Sequence, residues 1–303
     1  MIRLGYCCIN LTLQPEGVTS NRGMIKRTFQ ELGLARVSEL AILNLKDLKR
    51  IIEWNIENNI HVYRMSSDLF PWMSEYRFED LPNFNTIQVL LYDIGNLVKL
   101  NNLRVGFHPG QFDVLASPNP SVVEKTIYDL DQHSRILDMM GLEASTKYSL
   151  NIHIGGSYGD KREALNRFCN NFKLLSETTK ARLVVENDDK ESQYSVADLH
   201  QSVYNTIGTP ITFDHFHHTL CTGGMTAEGA AKLAASTWSE AVPLQHFSTS
   251  KKIYEDSSVV NRSHSDTLWE PIPYYGFAAD IELEVKLKDL ALKEYLIKYG
   301  IPS

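Results

Sequence analysis

RLVVENDDKESQYSVADLHQSVYNTIGTPITFDHF, residues 182–216, holds one complete strand–helix–strand unit. RLVVEN (182–187) is apolar, β-branched and too short for a helix, so it reads as a strand. ITFDHF (211–216) reads the same way. The segment between them, 195–207, reads as a helix. Each strand ends on or beside polar groups able to bind metal or orient a ligand: Glu186, Asn187 and Asp188 at the first, Asp214 and His215 in the second.

The same unit recurs on both sides. Further strand-like runs are IRLGYCCI (2–9), HVYRMSS (61–67), RVGFH (104–108), YSLNIHI (148–154), LQHFS (244–248) and DIELEVK (280–286), which makes eight in all. Helical spacing appears in 37–58, with Leu40, Leu43, Leu48, Ile51 and Ile52, and in 86–100, with Ile87, Leu90, Leu91, Ile94, Leu97 and Val98. Ser121 and Glu124 form an N-terminal capping pattern for 121–140. Segments 161–179, 195–207, 226–238 and 287–299 complete the set. Strand then helix, repeated eight times, predicts an α/β fold of the (β/α)₈ class. A doubly wound open sheet usually shows a Gly-rich phosphate turn after its first strand, and none follows Tyr6. With no linker or low-complexity tract in 303 residues, one domain, 1–303, is expected.

Composition is that of a globular chain, 43% hydrophobic and 22% charged. The opening MIRLGYCCIN lacks an apolar run of signal-peptide length. No stretch approaches the roughly eighteen apolar residues of a membrane span. The expected location is therefore the cytoplasm, with no membrane partner. Cys7, Cys8, Cys169 and Cys221 lack zinc-finger spacing and read as reduced, mostly buried thiols. The net charge of −7 taken alone argues against nucleic acid. Bound divalent ions reverse that argument, since about three of them would cancel nearly all of the charge.

In such a barrel the active site lies at the C-terminal strand ends. Those ends carry His108, His153, Glu186, Asp214, His217 and His246, with Glu75, His264, Asp266 and Glu284 in or beside the adjoining segments. Imidazoles and carboxylates with few thiols suit Mn, Zn or Fe. So many ligands point to more than one ion, and phosphodiester hydrolysis is the reaction that best uses several. His61, His133 and His200 fall at a strand start or within helices and read as non-ligands. His215 and His218 read as supporting or surface groups. Asp266 either orients His264 or binds metal.

These residues resemble the UV damage endonuclease family. The motifs that carry the resemblance are GYCCINLTL (5–13), RMSSDLFPWMSEY (64–76), RVGFHPGQFDVL (104–115), NIHIGGSYGDK (151–161), VVENDD (184–189), TFDHFHH (212–218), HFS (246–248), HSD (264–266) and ELEVK (282–286). The resemblance implies a DNA repair nuclease that nicks immediately 5′ to cyclobutane pyrimidine dimers, 6-4 photoproducts and abasic sites. Its partner is damaged duplex DNA, met by a monomer, and its cofactor is a cluster of divalent metals, about three Mn ions per chain. It implies Glu75, His108, His153, Glu186, Asp214, His217, His246, His264 and Glu284 as ligands, with Glu186, His153 and Glu284 carrying the catalysis. Gln111 and Phe112 would fill the gap left by a flipped-out dinucleotide, and Tyr6 and Asn10 would line the pocket that receives it.

Some members of that family have His where this chain has Glu75. Some have a carboxylated Lys two residues before the strand-seven His, where this chain has Leu244. Lys251, Lys252 and Arg262 are candidate phosphate contacts. Two other readings compete: a metal-dependent sugar isomerase or epimerase on the same barrel, and a non-catalytic module for damaged DNA.

Overall fold

Residues in the first strand-like run alternate in destination, and that alternation sets the barrel. Tyr6 sends its hydroxyl outward to Asn55 Oδ1 at 2.8 Å, while Arg3 pairs with Asp280 at 2.6 Å. Even-numbered residues of this strand therefore face the helical layer and odd-numbered ones face the barrel axis. The computed structural model describes residues 1–239 and 241–301.

The eight expected strands form, each trimmed at its ends: β1 Ile2–Cys7, β2 Val62–Met65, β3 Arg104–Phe107, β4 Leu150–Ile152, β5 Leu183–Glu186, β6 Ile211–Asp214, β7 Leu244–Phe247 and β8 Ala279–Leu283. All neighbours pair in parallel, and β1 pairs with β8 from Ile2–Ala279 to Tyr6–Leu283, which closes the barrel. Burial on both faces explains why the strands are near-continuous apolar runs. The single-domain (β/α)₈ expectation holds.

The main outer helices after the first four strands are α1 Lys26–Glu57, α2 Phe84–Leu100, α3 Pro120–Met139 and α4 Lys161–Phe172. Gly95 lets α2 approach the end of α3: a Cβ there would lie 1.7 Å from the Met140 carbonyl oxygen. Arg182 is buried and ties the start of β5 to α3 through Ser134, Asp138 and the Leu142 carbonyl.

Helical expectations change at several points; the helix expected over 37–58 begins already at Lys26. Segment 161–179 breaks after Phe172, because Ser176 caps a second helix, Glu177–Arg182, by accepting from Thr179 N–H. Segment 195–207 contains a wide π-type turn over His200–Tyr204. Between β7 and β8 the chain forms one short helix, Lys251–Tyr254, in a long connection.

The barrel floor is closed. Val184, Trp238 and Leu244 make an apolar plug separate from the main core, and the Arg104 guanidinium lies 5.0 Å from the Trp238 ring. Asp280 accepts from both Arg3 and Arg104 below it. The chemistry is thereby left to the opposite rim. Among the described residues no helix is long and apolar enough to cross a membrane.

Candidate metal centre

Glu186 ends β5 and is 0% exposed. Imidazoles from four other elements converge on it. His108, just past β3, places Nε2 3.2 Å from Oε2. His246 of β7 places Nδ1 3.1 Å from the same oxygen. His217 lies 3.1 Å from Oε1, and His153, just past β4, lies 3.8 Å from it. Asn151 of β4 also donates to Oε2.

Asp214 ends β6 and caps the helix His215–Leu220, accepting from His217 N–H at 2.7 Å through Oδ1. This bond fixes both residues and leaves Asp214 Oδ2 buried without a partner. Glu284, just past β8, lies 3.2 Å from His246 Nδ1 and 3.9 Å from His264. His264 reaches the rim from the β7–β8 connection, where Ser248 Oγ bonds its Nδ1 at 2.8 Å.

Three groups have ligand atoms within 4.8 Å of one another: His108, His153 and Glu186; His217, His264 and Glu284; and Glu186, Asp214, His217 and Glu284. They line or sit beneath a cleft of about 680 Å³ that also holds Arg64, Gln111, Asp113, Lys190 and Arg262.

A divalent metal fits this donor set. Glu186 Oε1, Asp214 Oδ2 and His246 Nδ1 are buried polar atoms with no hydrogen-bond partner. Several lie at hydrogen-bond distance from an opposing atom yet are misaligned for a bond, so their lone pairs face shared space. Buried polar atoms left unpaired are destabilising, and a cation among N and O donors satisfies them.

Electrostatics point the same way. Burial opposes a charge on Glu186, but His246 and His153 outweigh it and hold the carboxyl well below its usual range. Burial also opposes charge on His153 and His246, yet Glu186 wins and pushes them up to about 9 and about 10. Burial instead pushes Asp214 up. These shifts favour the protonated forms of His153 and His246, so a cation bound here would displace protons from them.

Of the residues expected as ligands, the structure brings together His108, His153, Glu186, Asp214, His217, His246, His264 and Glu284. It does not bring in Glu75. That residue is exposed on the turn Met73–Glu75, whose Met73 takes the buried position. Tyr6 and Asn10 do not line the cleft either. Both are buried behind the wall, with Asn10 Nδ2 donating to the Tyr6 hydroxyl at 2.8 Å, because strand parity turns Tyr6 toward α1. Gln111 and Phe112 are exposed on the loop after β3, Phe112 at 81%. Asp266 pairs with Lys251 at 2.7 Å and so does not orient His264. His215 is buried on Gln245, and burial lowers it to about 4. The cysteines are free, and Leu244 belongs to the floor plug.

Other supporting residues were not apparent from the sequence. Arg64 of β2 donates to Glu282 at 2.7 Å and also to Glu284. Glu282 faces His246 Nε2 at 3.3 Å, turning Nδ1 toward the cluster. Asp188 faces His153 Nδ1 at 3.2 Å. The signal for Arg64 and Glu282 was parity: each lies on the inward face of its strand. Beneath Phe112, Asp113 meets Asp129 of α3, which is 3.1 Å from His133 Nδ1. Burial and the Asp129 carboxylate push Asp113 up to about 7.

The profile of the family described as UV-endonuclease UvdE matches residues 2–299. The chain belongs to that family. A UV-damage endonuclease of Schizosaccharomyces pombe is 35% identical over 99% of the chain; the match spans 51% of the fungal protein, about half its length. A putative UV-damage endonuclease of Acanthamoeba polyphaga mimivirus is 32% identical, with 99% of this chain and 92% of the viral one covered. The crystal structure of SacUVDE aligns with a TM-score of 0.84 at 30% identity, covering 100% of both chains. Endonuclease IV from Thermus thermophilus and an L-ribulose 3-epimerase align with TM-scores of 0.56 and 0.54 at 12% and 13% identity. Those two share the fold alone with this UvdE-family chain.

Proposed function

We propose that the chain is a metal-dependent DNA endonuclease. It nicks the phosphodiester immediately 5′ to a cyclobutane pyrimidine dimer, a 6-4 photoproduct or an abasic site. The observation that carries this reading is the set of unpaired, buried donor atoms around Glu186 at the floor of an open cleft. His108, His153, Glu186, Asp214, His217, His246, His264 and Glu284 would hold about three divalent ions, manganese foremost. When bound, the ions supply Lewis-acid polarisation of the phosphoryl group and stabilise charge on the attacking and departing oxygens.

The chain's own residues do the rest. Glu282 and Asp188 orient His246 and His153. Asp214 holds His217 through its backbone. Gln111 and Phe112 stand free to enter the duplex when a weakly stacked lesion leaves it. The exposed cleft admits a polymer acting on a monomeric enzyme. A sugar epimerase needs a closed small-molecule pocket and fewer ions, and the three ligand groups here exceed that need.

The test is a duplex carrying one pyrimidine dimer, incubated with manganese. A single cut on the 5′ side, abolished by chelation and restored by metal, is expected. Elemental analysis giving one ion or fewer, with no cut, would refute the proposal.

A further inference from the structure

Among the described residues, six other than glycine adopt a left-handed backbone: Cys8, Asn59, Trp72, Asn102, Tyr158 and Lys288. They divide by barrel end. Asn59 and Asn102 precede β2 and β3 at the floor, and asparagine tolerates this conformation well. Cys8, Trp72, Tyr158 and Lys288 follow β1, β2, β4 and β8 at the rim, where a crowded Cβ makes the conformation strained. Strain of this kind gathers where function requires a fixed geometry.

The other three rim residues have visible uses. Trp72 stacks on Phe29 at 5.6 Å, and its indole N–H donates to the Met24 carbonyl at 2.9 Å. Cys8 lines the cleft, and Lys288 opens the last helix. Tyr158 has no such internal duty. It is 50% exposed, and its hydroxyl bonds to nothing among the described residues. Its ring rests on Gly156 and lies 5.5 Å from the Arg167 guanidinium. Arg167 is itself fixed by the Ala116 carbonyl at 3.0 Å.

The position is telling. Gly155 and Gly156 line the cleft of the metal centre. A Cβ on Gly155 would lie 2.4 Å from Val114 Cγ1, so the loop after β4 is pressed against the loop after β3. Those neighbouring loops present two exposed aromatic rings, Phe112 and Tyr158, beside the candidate ligands. Lys190, which forms no ion pair among the described residues, lines the same cleft and suits a phosphate backbone.

We propose that Tyr158 is a specificity-determining residue that lays its ring on an unstacked base beside the lesion, next to the site of Phe112. Aromatic faces accept any base by stacking, so the contact rewards disrupted duplex over intact duplex. The ring is half exposed, and Arg167 braces it. This rests on the reading of the chain as an endonuclease for damaged DNA.

The experiment compares wild type, Tyr158→Asn and Tyr158→Phe with manganese on dimer-containing duplex. Asparagine suits the left-handed backbone but lacks the ring. Tyr158→Asn is expected to raise KM roughly ten-fold, to change kcat less than about two-fold, and to leave the thermal midpoint unchanged or raised. Tyr158→Phe is expected to restore the wild-type KM. An unchanged KM in Tyr158→Asn, or a lowered midpoint with kcat and KM damaged alike in both variants, would overturn the proposal. A wild-type protein inert on damaged duplex would overturn the functional reading itself, and this inference with it.

Discussion

His246 Nδ1 stands 3.1 Å from Glu186 Oε2, yet the pair is not aligned for a hydrogen bond, and His246 Nδ1 has no partner at all. The two groups stand at bonding distance but out of alignment, each with its own support, Glu282 behind the imidazole and Asn151 beside the carboxylate. Glu186→Ala should therefore remove the binding of metal more than the fold. A ligand present at 100 times its Kd stabilises by about 2.7 kcal/mol, worth several degrees of thermal midpoint at this chain length. Wild type should show that manganese-dependent rise and Glu186→Ala should lack most of it. An equal rise in both proteins would remove Glu186 from the ligand set.

Arg64 is a fixed cation among acids. Replacing it with Met leaves Glu282 and Glu284 without the guanidinium that neutralises them. Removing one partner of a buried ion pair costs about 3–5 kcal/mol. Urea unfolding of metal-free Arg64→Met should show a loss of that order, and manganese should recover part of it by supplying positive charge nearby. A loss below about 1 kcal/mol, in the range of surface pairs, would show the pair to be weakly coupled.

Gln111 and Phe112 are exposed and make few contacts. Phe112→Ala and Gln111→Ala should alter stability by no more than about 0.5 kcal/mol. Discrimination between damaged and undamaged duplex should fall roughly ten-fold for Phe112→Ala. Fluorescence anisotropy with both duplexes measures this, and unchanged discrimination would dismiss the pair as probes.

Asp113 supplies a pH dependence of unusual sign. Its folded-state value of about 7 lies above that of an unfolded Asp, about 3.9. Folding thus takes up a proton here between those limits, and the residue's contribution to stability declines as pH rises from about 4 to about 7. Asp113→Asn lacks this decline. Compared with wild type, it should gain stability at pH 8 relative to its standing at pH 4. Denaturation midpoints at the two pH values decide the matter, and a constant difference between the proteins would refute it.

The barrel was legible because its strands are short apolar runs, most of which end in or just before a recognisable donor, such as Glu186 in RLVVEN. The candidate ligands on those ends needed little more to single out. The pocket role of Tyr6 came from the family resemblance, and the local sequence could not check it: in IRLGYC nearly every residue is apolar, so alternation is hidden, and only Arg3 marks the inward face. Glu75 sits on an irregular turn, where no period predicts direction. Arg64 and Glu282 are 218 positions apart, and nothing local announces their meeting.

The plug of Val184, Trp238 and Leu244 has a consequence for turnover. With the far end sealed, the vessel has a single mouth. On the proposed endonuclease reading, uncut strand would arrive and nicked strand would depart through that same opening. A nicked duplex still annealed to its complement would have to vacate before the next lesion could be met, so product would compete with substrate by architecture.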